Sequence, residues 1–270
     1  MRHIAFYGKG GIGKTTVLSN LAILLGEKGF KILVVGCDPK HDTSYKISDT
    51  YPIPTVIDRI IEKSRNIKKE DIVFKGRHGI DCIEAGGPEP GVGCAGKGIG
   101  RMFEVLESLG VFHMPYDFVL YDVLGDVVCG GFAYPMRYSR STEVVILTSG
   151  EFLSLYAANN LCRAIVRLGP GVVRLAGIVA NLRGLRDEEK RIYEFSKRVN
   201  AEVIGMLQHD ESIIEAERLK KSVVEHAPHS PASLALEQIC NTILSKSYEN
   251  YSPPKPMSDL GFDEFISKVA

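Results

Sequence analysis

Short runs rich in valine and isoleucine, with little polar alternation, recur along the chain at residues 4–7, 31–36, 79–84, 117–123, 143–148, 173–180 and 202–207. Strands read this way when both faces of their sheet are covered. Between them, residues 16–28, 100–109, 153–168, 187–199 and 213–223 carry helical spacing. This alternation predicts an α/β fold: a doubly wound, mostly parallel sheet with helices on both faces and ligands bound beyond the carboxyl ends of the strands. No internal repeat or low-complexity segment interrupts it. The tail departs from the pattern, because Tyr251-Ser252-Pro253-Pro254-Lys255-Pro256 cannot be helical. The chain is therefore expected to divide into a domain over residues 1–246 and an extended, proline-containing arm over residues 247–270.

Composition narrows the partners. Of 270 residues 44% are hydrophobic and 24% charged, enough apolar material for a sizeable core. Lys+Arg and Asp+Glu both number 33, so no net field draws the protein to nucleic acid or an anionic membrane. No apolar run approaches the roughly 20 residues needed to span a bilayer. Met1-Arg2-His3 leads straight into a strand-like segment, so no signal peptide is expected and the location is cytoplasmic.

The first chemistry lies between the first strand and the first helix. Gly8, Lys9, Gly10, Gly11, Ile12, Gly13, Lys14 and Thr15 match the phosphate-binding loop G-x-x-x-x-G-K-[ST], with Thr16 continuing into the helix. Glycines let the backbone amides wrap phosphate, and the helix N-terminus adds partial positive charge. Lys14 is expected at the β- and γ-phosphates and the Thr15 hydroxyl on Mg²⁺. Carboxylates close two further strands, Asp38 and Asp42 beside Lys40 in one case, Asp122 and Asp126 around Gly125 in the other. At the rim of a triphosphate site such groups hold Mg²⁺, orient water or sense the γ-phosphate. Taken singly, each could equally be a helix cap or turn residue.

Six cysteines are too few for a disulfide scaffold. Cys94 and Cys129 stand apart from the others, each in a glycine-rich loop after a strand where amides can approach a sulfur. Cys37, Cys82, Cys162 and Cys240 fall within apolar patterns and read as core. Two thiolates cannot complete the four-cysteine shell of an iron–sulfur cluster, but two copies of the chain about a two-fold axis can. Cys129 follows Asp126 by three residues, so the nucleotide-sensing loop and the cysteine loop are one segment.

The stretches YGKGGIGKTT (7–16), VGCDPKHD (35–42), GGPEPGVGCAGKG (86–98), YDVLGDVVCGGFA (121–133) and SGEFLSLYAANN (149–160) resemble the iron protein (reductase) component of nitrogenase and nitrogenase-like enzymes over nearly the whole chain. The resemblance implies an ATP-hydrolysing oxidoreductase component. It further implies a homodimer with one MgATP per subunit and one [4Fe–4S] cluster held by Cys94 and Cys129 of both subunits. Electrons would pass to a separate catalytic component, a heterotetramer, and arrive from ferredoxin or flavodoxin. The arm is expected to pack on that dimer. Carried over by motif, Lys9 reaches the other subunit's nucleotide. Asp38, the water-orienting residue, and Asp42 form a first switch, Asp122 and Asp126 a second, and Asn181 reads adenine.

Three departures qualify the match. Lys97 stands where nitrogenase reductases usually carry an arginine, which keeps the charge but not the bidentate fork. Gln208-His209-Asp210 replaces a usual Pro-Arg-Asp on the adenine side. Residues 53–58, Ile-Pro-Thr-Val-Ile-Asp, are closer to reductases of tetrapyrrole-reducing and other nitrogenase-like systems, which ranks those ahead of nitrogen fixation itself. Two other classes share the loop: a non-redox dimeric ATPase and an ATPase that delivers clusters. The first needs no cysteine pair in glycine loops, and the second commonly uses C-x-x-C.

Overall fold

The computed structural model describes residues 1–87, 95–124, 133–138, 142–169 and 172–269. β1 (Arg2–Tyr7) runs into α1 (Lys14–Glu27) and β2 (Ile32–Cys37), followed by α2 (Val56–Lys63), the short β3 (Phe74–Lys75) and β4 (Asp81–Glu84). Next come α3 (Ala95–Ser108), β5 (Phe118–Val123), α4 (Tyr134–Tyr138), β6 (Thr142–Thr148) and α5 (Phe152–Leu168). The last third holds β7 (Val173–Asn181), α6 (Glu188–Arg198), β8 (Val203–Leu207), α7 (Glu211–Arg218), α8 (Val223–His226), α9 (Pro231–Leu244) and α10 (Asp259–Val269).

The described strands form one eight-stranded sheet in the order β3-β4-β2-β5-β1-β6-β7-β8. Only β3 is antiparallel within it. Every residue of β2, β5 and β6 is buried, as expected for strands with helices on both faces. The alternation of β1 sorts its side chains between two cores. Ala5 and Tyr7 join Phe103, Leu155 and Phe195 from α3, α5 and α6, while Ile4 and Phe6 join Leu18, Leu21, Leu236 and Ile239 from α1 and α9. Each large apolar side chain so buried contributes roughly 1.5–3 kcal/mol.

Boundaries differ from the sequence expectation where packing or capping outweighs pattern. α3 starts at Ala95, ahead of Gly100, despite the poor helix propensity of Gly96 and Gly98. At Gly100 any Cβ would collide with the Tyr134 ring, so glycine is what brings α3 against α4. The helix expected over 213–223 instead breaks into α7 and α8. Lys220 takes a left-handed φ of 53°, and Ser222 and Glu225 form a capping box that starts the second piece. α2 and α9 owe their starts to caps as well, Thr55 with Asp58 in one and Ser230 before Pro231 in the other.

The tail follows the surface of its own chain. Lys255 N donates to Val199 O at 2.7 Å, and the Asn159 side chain brackets Met257, accepting from its N–H at 2.8 Å and donating to its carbonyl at 3.0 Å. The segment stays non-helical through residues 251–258 and becomes α10 at Asp259, where Phe262 and Phe265 enter the core between α5 and α6.

Candidate functional site at the carboxyl rim of the sheet

The phosphate-type loop leaves β1 beside β6. Gly8 (φ +151°) lies so close to Leu147 O that any side chain would collide with it. Gly13 (φ +101°) begins α1 without a side-chain cap, so the N-cap residue supplies no side-chain acceptor to the first N–H groups of the helix. Lys14 is buried, and its Nζ lies across the loop, donating to Gly8 O at 3.1 Å and Lys9 O at 3.3 Å. Ile12 is buried beneath the loop, Lys9 is half-buried, and Gly10 and Gly11 are exposed.

Asp122 joins three elements. Its register partners are Phe6 on β1 and Gly36 on β2, which places it at the centre of the rim. Its Oδ2 accepts from the Thr15 hydroxyl at 2.6 Å and from the Thr43 hydroxyl at 2.8 Å. Burial pushes this carboxyl up to about 6, against the pull of the two hydroxyls and the Lys14 charge. Hydroxyl and carboxylate oxygens are the hard donors that Mg²⁺ takes beside phosphates, so Thr15 and Asp122 fit that ion.

The loop after β2 faces the same rim. Asp38 closes a tight turn, its Oδ1 accepting from Lys40 N at 3.0 Å and its carbonyl from His41 N at 3.1 Å. Lys40 and Asp42 are exposed, and the following 3-10 turn, Thr43–Lys46, is largely buried. Lys46, which the sequence pattern did not mark, donates to the Thr16 hydroxyl at 3.3 Å and pairs with Glu217 of α7 at 3.2 Å. Glu84 at the end of β4 was also unmarked. It is 1% exposed, accepts from Ser44 N at 2.6 Å, and is pushed up to about 8 by burial, with Asp122 and Asp42 adding to the rise. A signal was present in principle: Glu84 ends the run 79–84, which carries a second acid, Asp81, at its start.

On the other side of the loop, Asn181 Nδ2 donates to Ile12 O at 2.8 Å and Arg183 Nη2 to Gly11 O at 2.9 Å. Arg183 was not expected from the motif. Beyond it opens a cleft of about 1180 Å³ lined by Arg183, Leu185, Tyr193, Gln208 and His209 among others. Asp210 does not line it. Its carboxylate caps α7 through Ser212 N at 2.9 Å and fastens α9 through Ala232 N at 2.9 Å.

Gly125, Asp126, Cys94 and Cys129 lie outside the described residues; they follow β5 and β4, whose ends are at this rim. The four other cysteines are buried and free. Burial raises all four thiols, Cys240 to about 11 and Cys162 to about 12, so none is poised as a thiolate ligand. Among the described residues no cluster of His, Cys, Asp and Glu is built to hold a metal, and no helix is long and apolar enough to cross a membrane.

Comparison with known proteins places the chain among relatives. The model of the 4Fe-4S iron sulfur cluster binding proteins, NifH/frxC family, matches residues 2–270. A nitrogenase iron protein of Methanospirillum hungatei is 44% identical over 261 residues, 95% of this chain and 92% of that protein. Nitrogenase iron protein 2 of Methanobacterium ivanovii is 43% identical over 265 residues, 98% of both. Among solved structures, the cell division ATPase MinD of Pyrococcus furiosus superposes with a TM-score of 0.71 at 19% identity, over 90% of this chain and 98% of that one. A ParA family ATPase from Chlorobium tepidum gives 0.69 at 19%, over 90% and 97%. At that identity these two show the fold alone. The family match and the phosphate loop make the chain an ATP-hydrolysing oxidoreductase component that binds a [4Fe–4S] cluster and MgATP. The chain belongs to the NifH/frxC family of 4Fe-4S iron–sulfur cluster binding proteins.

Proposed function

We propose that the chain works in the cytoplasm as a homodimeric, ATP-driven electron donor to a nitrogenase-type catalytic component, a heterotetramer. Each protomer contributes Cys94 and Cys129 to one bridging cluster, and the C-terminal arm, residues 247–270, flanks the dimer. The cluster supplies one-electron, low-potential redox chemistry, with ferredoxin or flavodoxin as its source of electrons. The observation that carries this reading is the hydrogen-bonded series Thr15–Asp122–Thr43. It ties the phosphate loop to the turn after β2 and to the end of β5, whose chain reaches Asp126 and Cys129 within seven residues of Asp122.

In this reading Lys14 and the loop amides neutralise the β- and γ-phosphates, and Thr15, with Asp122 behind it, holds Mg²⁺. Gly8, Gly10, Gly11, Ile12, Gly13 and Thr16 shape the loop, with Lys40 and Asp42 at its edge, and Gly125 is assigned to the same nucleotide site by its motif. Asp38 orients the attacking water, Asp126 senses the γ-phosphate, and Lys9 acts on the partner's nucleotide. Asn181 turns from the Ile12 carbonyl to the base. Loops joined this way change position together when the γ-phosphate is lost.

The printed names of the relatives favour a nitrogenase as partner. Residues 53–58, the stretch closer to other systems, carry Thr55 and Asp58 of the α2 capping box, so part of that stretch answers to local structure. Capture of the catalytic component from the native host identifies it. The core reading is tested by anaerobic purification: about four irons per dimer are expected, as in one four-iron cluster. Cys94→Ser and Cys129→Ser should lose the iron and Cys162→Ser should keep it. The reverse pattern refutes the ligand assignment.

A further inference from the structure

Glu84 stands between the turn after β2 and the strand end that leads to Cys94. On β4 its register partner is Gly36 of β2, where any Cβ would collide with Glu84 Oε2, so a glycine is what admits the carboxyl. Oε1 takes the Ser44 N–H at 2.6 Å; Oε2 and Ser44 Oγ have no hydrogen-bond partner among the described residues. Burial keeps the acid protonated near neutral pH, so it can accept at one oxygen and donate from the other.

The chain beyond Glu84 is held against the same turn. Ala85 N donates to Gly36 O at 2.8 Å, and Ala85 O accepts from Ile57 N at 3.2 Å. Gly87 packs on Pro39 so closely that a Cβ there would stand 2.8 Å from Pro39 Cβ. Cys94 follows Gly87 by seven residues. Residues 38–46 therefore meet the approach to Cys94 at two points, Ser44 with Glu84 and Pro39 with Gly87.

We infer that Glu84 is a positioning residue that makes the 38–46 turn and the strand end before Cys94 move as one body, so that nucleotide state reaches the first cysteine by a route separate from Asp122 and Asp126. The inference rests on the function proposed above. Slippage between turn and strand end would leave a buried N–H and a buried acid without partners, which is the costly arrangement. The turn carries the strand end with it instead.

The test uses reduced, anaerobically purified holoprotein and measures how fast bathophenanthroline disulfonate removes iron, with and without MgATP. If the unsubstituted protein holds no iron, or its iron removal ignores MgATP, the functional reading fails and this inference fails with it. Given a response, Glu84→Ala should keep its iron, its basal rate and its MgATP binding, yet lose about tenfold of the ATP-induced acceleration, the effect of one buried hydrogen bond. Glu84→Gln, isosteric with the neutral acid, should stay within about twofold of the unsubstituted protein. Full acceleration in Glu84→Ala, or equal damage in both variants, overturns the inference. Gly87→Ala pushes the strand end off Pro39 without touching the carboxyl and should also alter the acceleration. If Glu84→Ala does not fold, an unchanged response in Gly87→Ala overturns it.

Discussion

The rim of the sheet holds two pairs of acids on opposite sides of the phosphate loop. On the β7–β8 side, Glu188 accepts from three backbone N–H groups, Gly150 at 2.9 Å, Arg183 at 2.8 Å and Leu185 at 3.1 Å. Asp210, after β8, takes Ser212 and Ala232, and although burial alone would raise it, those donors hold it below the usual carboxylate range. On the β2–β5 side, burial raises Asp122 and Glu84, and neither has enough donors to offset it. An acid whose oxygens are filled by backbone amides fastens loops. An acid buried with too few partners costs stability, and it persists where something else makes use of it.

The contrast is most sharply tested at the centre of the second group. Lys14→Gln removes the cation beside Asp122 and the phosphates. ATP hydrolysis should fall by about 10³-fold, the scale on which a charged transition-state contact acts, with iron content unchanged. Steady-state phosphate release and iron analysis check both halves.

Glu188→Ala should be the more damaging change for stability, because it strands three amides at once. A loss of roughly 3 kcal/mol in denaturant unfolding is expected. A loss under about 0.5 kcal/mol, within the range of ordinary surface substitutions, would remove the distinction between the two groups.

Glu84 separates them through pH. Its folded pKa of about 8 lies above an unfolded value near 4.3, so between those values the native state binds more protons than the unfolded chain. Stability therefore falls as pH rises through that window, by roughly 3 kcal/mol between about pH 5.5 and 8.5. Glu84→Gln should flatten this slope in chemical denaturation, and an unaltered slope would show that the acid is not held protonated.

Asp210→Ala is the mildest change. Loss of the α7 cap should cost about 1 kcal/mol by thermal unfolding and leave hydrolysis near its original rate.

Part of this contrast is visible in the sequence and part is not. The glycines and Lys14 of the phosphate loop are contiguous, so one helical turn and one strand end suffice to express their chemistry. Asp122 also shows itself, because it follows an apolar run whose end must be at the rim. Glu84 ends a comparable run, yet its partner Ser44 is 40 residues away and belongs to a different loop. Arg183 and Lys46 have the same difficulty, each meeting the phosphate-binding segment only through the order of strands in the sheet. The break between α7 and α8 was hidden because Ser222 and Glu225 resemble ordinary helix-face residues until the left-handed Lys220 turns the chain.

What the linear order determined is the local chemistry and the covered strands: the loop that wraps phosphate, the runs with no polar face, and the two cysteines set among glycines. Those signals act over a few residues, where backbone geometry and composition leave little freedom. Folding decided which acids share a rim, which of them backbone amides satisfy, and which are buried with too few donors. Those outcomes depend on solvent exclusion and on hydrogen bonds between segments remote in the chain, and they exist only once the sheet has brought β4, β2 and β5 side by side.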